Sequence, residues 1–189
     1  MPSSSCLNLF AYGTLMDRDR LAWEMVVPPA EVERRLRIRV AEAIGFRRVF
    51  NRVVPQWGGA VLNLEFDKTS TVVGVLYMDL THQELGMLDS SQPYHLPRKP
   101  LEVLVEGEKV PALAYMARPD AGAAVAESYE TQVLELVRRL GDPILANFLE
   151  HTYQSDGAPR YRKLEAAPPA EATTGGTDSA AGPASTVPA

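Results

Sequence analysis

Residues 7–16 read LNLFAYGTLM, an apolar run that breaks at Gly13 before any charge is met. Leu7, Leu9 and Ala11 alternate with Asn8, Phe10 and Tyr12, the period of two that marks a strand buried on at least one face. Gly13 lets the backbone turn, or approach a neighbour, where a side chain would not fit. Two outcomes are then open. In one, the strand turns into an ordinary helix with Asp17 as N-cap and Leu21, Ala22 and Met25 on its apolar side. In the other, the successive amides of Gly13, Thr14 and Leu15 point into one concavity and hold an anion, a carboxylate for example. Spacing alone does not choose between them.

The rest of the chain narrows the class of molecule. With 189 residues and 46% hydrophobic content it can build one domain with a sizeable core. Nineteen Lys and Arg against 24 Asp and Glu give a formal charge of -5, which argues against non-specific affinity for nucleic acid or an anionic membrane. The basic residues concentrate at 34–52, and over 36–40 arginines alternate with Leu36, Ile38 and Val40. That pattern predicts a half-buried strand whose arginines face solvent. Cys6 is the only cysteine, so no intrachain disulfide can form, and it reads as a structural thiol. The N-terminal residues lack a basic start followed by an apolar core, and no apolar stretch reaches transmembrane length, so a cytoplasmic protein is expected.

Strands are expected over residues 36–43, 59–66, 72–80, 101–105 and 110–117, with a turn at 106–109. So many short strands imply a closed or strongly curved sheet. A helix begins at the capping box of Thr81 and Glu84. Another, amphipathic one spans 124–140, with Val133, Leu136, Val137 and Leu140 on one face and Gly141 as its stop. A last helix capped by Asp142 opens with Pro143 and is expected to run to about Tyr153. The domain is placed at 1–163, with Tyr161 docking on it. Residues 164–189, rich in Ala, Pro, Thr and Gly, carry too little apolar surface to offset ordering and are expected to be a disordered tail.

Four segments in this order, FAYGTLM (10–16), GFRRVFN (45–51), QWGGAVL (56–62) and GVLYMDLTHQELGMLD (74–89), resemble the gamma-glutamylcyclotransferase-like (AIG2-like) family over about residues 7–150. The resemblance implies an α+β fold, a small mixed β-barrel flanked by helices. It implies a small acidic, γ-glutamyl-type ligand as the partner and no cofactor. It implies a reaction in which the α-amine of a γ-glutamyl group attacks its own γ-carbonyl, giving 5-oxoproline and a released amine. Ring closure is intramolecular, so the remaining work is moving protons, which one carboxylate can do as base and then as acid. In the family that carboxylate is a Glu three positions after the Asp of a Leu-Asp pair. Here the count from Asp89 reaches Gln92, followed by Pro93 and Tyr94. An amide donates and accepts hydrogen bonds but does not exchange protons near neutrality.

The expected ligand-binding residues are therefore Tyr12, Gly13, Thr14, Leu15, Tyr94 and Tyr115, with Gln92 in the catalytic position and no metal. The alternative is a non-catalytic ligand-binding or protein-interaction module on the same fold. His95 is the nearest side chain able to replace the missing base, Glu84 is committed to its cap, Glu102 lies along the next strand, and Asp89 reads as structural. Trp57, beside Gly58 and Gly59, resembles a loop at the family's pocket mouth, and Tyr129 reads as core before ligand contact. His82, His95 and His151 have no metal-ligand spacing.

Overall fold

A computed structural model describes residues 7–92, 96–120 and 122–161; Cys6, Tyr94, His95 and the expected tail lie outside the described residues. The alternating run is strand β1, Leu7–Ala11. Asp17 caps α1, Arg18–Glu24, by accepting the Asp19 amide at 3.0 Å. A second helix, α2, Pro29–Arg35, precedes two long strands, β2, Arg37–Val54, and β3, Gly59–Leu80. Then follow α3, His82–Ser91, the hairpin of β4, Arg98–Val105, and β5, Glu108–Tyr115, the helices α4, Glu127–Leu140, and α5, Ile144–Glu150, and strand β6, Thr152–Gln154.

The strands run β3-β1-β5-β4-β2, and β2 pairs again with β3, closing a five-strand mixed barrel; β6 extends it as a parallel neighbour of β2. Closure removes the free sheet edges that short strands otherwise expose. One pairing is parallel within the barrel, β1 with β5, which sets the ends of these two strands side by side. Leu9, Phe10, Leu76, Tyr77 and Ala114 are all buried, so both faces of these strands are covered, one by the barrel interior and one by the elements outside it.

Three sequence expectations change. The segments expected at 59–66 and 72–80 are one strand, because residues 67–70 only bulge out between the pairs Phe46–Phe66 and Ile44–Thr71, with Asp67 accepting from Thr69 and Ser70. In β2 the buried phase falls on Ala41 and Ala43, whereas Val40 is exposed. Small residues face inward there because Ala41 pairs with Gly74, the tightest point of the wall. A Cβ on Gly74 would run into the Ala11 carbonyl oxygen and reach Phe10 Cζ at 2.9 Å. Arg37 and Arg39 do face solvent as expected, whereas Arg48, further along β2, is fully buried. Finally, α5 ends at Glu150, and Tyr153 instead joins β6 opposite Val49.

Tyr161 docks as expected, 5.6 Å from the Phe148 ring, with its hydroxyl donating to Glu130 Oε1 at 2.8 Å. Arg160 grips the same carboxylate through Nε and Nη2 at 2.8 and 2.7 Å. Among the described residues no helix is long and apolar enough to cross a membrane.

Two predictions follow from this packing. Gly74→Ala should destabilise the fold by about 1–3 kcal/mol, read by denaturant unfolding, since overpacking here meets backbone as well as a ring. Burial pulls the Glu130 carboxyl up, but Arg160 and Tyr161 outweigh it and hold it below the ordinary value of 4.5. The pair's stabilisation is therefore complete above that pH and is lost as pH falls through the lower folded value. Melting curves below pH 4.5 should flatten in Glu130→Gln relative to the parent.

Candidate functional site

Where β1 ends, the chain crosses Tyr12 and Gly13 and tightens into a short 3-10 turn, Thr14–Met16, before α1. Under this crossing lies a cavity of about 100 Å³ bounded also by Arg20 and Glu24 of α1, Trp57, the end of α3, Tyr115 and Tyr129. That is below the roughly 300 Å³ at which drug-sized pockets begin, so it suits a group the size of one amino acid. The structure brings Tyr12, Gly13, Thr14, Leu15, Gln92 and Tyr115 to this one cavity, with Trp57 and Tyr129 beside them.

The crossing is held by tyrosines. The Tyr129 hydroxyl meets the backbone of Thr14 and Leu62, and burial pushes it up to about 12. Gly13 is required by this approach, because a Cβ there would lie 2.8 Å from Tyr129 Oη. Of the three amides expected to face an anion, that of Thr14 is thus met by a protein hydroxyl. Trp57 stacks edge-on to Tyr129 at 5.2 Å. Tyr12 donates to the Tyr115 carbonyl at 2.5 Å, and Tyr115 donates in turn to Asp89 Oδ1 at 2.9 Å. Burial, then Asp89, pushes the Tyr115 hydroxyl far up, so both tyrosines stay neutral donors. Arg98 holds the Asp89 carboxylate at 2.8 Å, which leaves Asp89 a positioning role.

Below this layer Arg48 is buried at 0% exposure. It donates through Nε to the Tyr12 carbonyl at 3.0 Å, through Nη1 to Asn147 Oδ1 at 2.9 Å, and through Nη2 to the Val73 carbonyl. It therefore fixes the carbonyl at the start of the crossing.

Gln92, at the C-terminal end of α3, does not face empty space. Its Nε2 donates to Glu24 Oε2 at 2.8 Å, and the Ser91 hydroxyl donates to the same oxygen at 2.8 Å. Arg20 Nε reaches the other oxygen, Oε1, at 2.5 Å. Glu24 is only 7% exposed and lines the cavity. Sequence reasoning passed over it, although the signal was present: it lies three residues after Leu21, inside the apolar stripe of α1. Glu84 sits in its capping box with Thr81 and pairs with Arg35, and Glu102 on β4 pairs with Lys109 on β5. Among the described residues no three His, Cys, Asp or Glu side chains gather to hold a metal ion.

The sequence model of "Gamma-glutamyl cyclotransferase, AIG2-like" matches residues 9–133, more than half of the chain. The chain belongs to this family. A curated relative from Methanocaldococcus jannaschii, named as a gamma-glutamylcyclotransferase with a further, provisional RNase assignment, is 25% identical over 114 residues, covering 59% of this chain and 46% of its own. The chain thus spans about half the length of that relative. Among solved structures, a gamma-glutamyl cyclotransferase superposes with a TM-score of 0.63 at 18% identity, covering 89% of this chain and 92% of its own. A human protein gives 0.62 at 17% identity, covering 89% and 91%. YkqA from Bacillus subtilis gives 0.57 at 20% identity, covering 84% and 57%. At these identities the structures show the barrel fold that the family shares.

Arg48→Met should destabilise the protein by about 3 kcal/mol or more, read by chemical unfolding, because three hydrogen bonds from one buried guanidinium are lost together.

Proposed function

We propose that this cavity binds the γ-glutamyl head of a small acidic ligand, with its α-carboxylate toward Tyr12, Gly13, Thr14 and Leu15 and its γ-amide toward Gln92. One observation carries the reading: the crossing after β1 and the end of α3, far apart in sequence, line a single cavity of amino-acid size. The Arg20 cation on the cavity wall suits an anionic head group. The family reaction, cyclisation to 5-oxoproline with release of an amine, is the chemistry proposed for such a ligand. A protein working on a dissolved metabolite of this kind also fits the cytoplasm.

Gln92 favours a second reading, a binding module without turnover, since an amide in that position orients a substrate but moves no proton. The two readings share the ligand and divide on turnover.

Thermal-shift titration with 5-oxoproline, γ-glutamyl amines and glutathione should raise the melting temperature in a concentration-dependent way, because a ligand that binds only the folded state stabilises it by mass action. No shift with any of these compounds would sink both readings.

A further inference from the structure

We propose that Glu24 is the acid/base of this site, the proton-transfer function of the family's Glu having moved across one hydrogen bond from position 92 to α1. The inference rests on the γ-glutamyl reading above and adds to it the residue that would do the chemistry.

Glu24 is the one carboxylate among the described residues that lines the cavity. It is almost wholly buried, yet it spends that burial on the cavity wall and on polar partners from two helices. Oε2 accepts from Ser91 and Gln92, whereas among the described residues Oε1 accepts from Arg20 alone. A carboxylate has about four acceptor sites, so Oε1 keeps one for a substrate proton. The other candidates fail on geometry: Asp89 is clasped by Tyr115 and Arg98, Glu84 by its capping box and Arg35, and Glu102 stands out on β4.

In this arrangement the two halves of the family's single residue are divided. Gln92 supplies the hydrogen bonds of that position, and Glu24, 2.8 Å beyond it, supplies the proton site. Glu24 takes one proton from the α-ammonium, and the freed amine attacks the γ-carbonyl carbon, forming the ring C–N bond. Glu24 then returns its proton to the departing nitrogen as the old C–N bond breaks. The second proton on the ring nitrogen leaves with the released amine as its ammonium, so the products are 5-oxoproline and an ammonium, with no net proton change.

The test compares the parent, Glu24→Gln, and the exchange Glu24→Gln/Gln92→Glu, each measured for 5-oxoproline binding by thermal shift and for 5-oxoproline release from γ-glutamyl amines. The expected result is that Glu24→Gln, though it melts lower for want of the Arg20 ion pair, keeps its ligand shift, while kcat falls by about 10²- to 10⁴-fold with little change in KM. The acid limb of its kcat/KM profile should disappear, and the exchange, which restores a carboxylate on the other side of the same hydrogen bond, should recover turnover. A role confined to tying α1 to α3 would lower the melting temperature just as much and leave the pH profile of kcat/KM unchanged. The proposal is overturned if Glu24→Gln turns over as the parent does, if the parent binds 5-oxoproline without turnover, or if the exchange binds it and stays inert; in each case the ligand reading stands. Absence of binding by the parent overturns that reading, and this inference with it.

Discussion

A guanidinium inside a barrel is the constraint around which the other parts of this protein are arranged. Arg48 has left water entirely, and the lost hydration pulls its pKa down to about 9. The cost of that burial is offset by neutral acceptors: the Tyr12 and Val73 carbonyls and the Asn147 side chain, with the Phe148 ring 5.2 Å from the cation. These partners come from the end of β1, the middle of β3 and α5. Asn147 closes the arrangement, since it also accepts from the Val73 amide and donates to the Thr71 carbonyl. One side chain of β2 thereby sets how the chain leaves β1, and that exit is the roof of the cavity.

The tyrosines work above this anchor as rigid spacers. Tyr12 reaches the last residue of β5 through its carbonyl, and that residue's own hydroxyl reaches Asp89 on α3. The parallel pairing of β1 and β5 makes the first link possible by setting the two strand ends abreast. Position along the barrel is thus converted, through two hydrogen bonds, into the position of α3, whose last turn carries Ser91 and Gln92.

Much of this was legible in the residues. The strand ending at Gly13, the capping box at Thr81 and the amphipathic face of α4 are local patterns, and local patterns survive folding. The inward phase of β2 was not legible, because Ala41 faces in only to fit Gly74 across the ladder, and such a fit depends on a partner far off in sequence. The burial of Arg48 was hidden for the same reason: its acceptors are 25 and 36 positions away along the backbone. In the site, counting from Asp89 found Gln92, but no count within one segment reaches Glu24, which meets Gln92 across 68 residues.

That contact makes the side chains at 24 and 92 answer to each other. Glu and Gln codons differ by a single base, so either position can exchange its side chain in one mutational step. Two carboxylates at this distance would repel, and two amides would lack an ionised partner for Arg20, so each single exchange sets up pressure for the second.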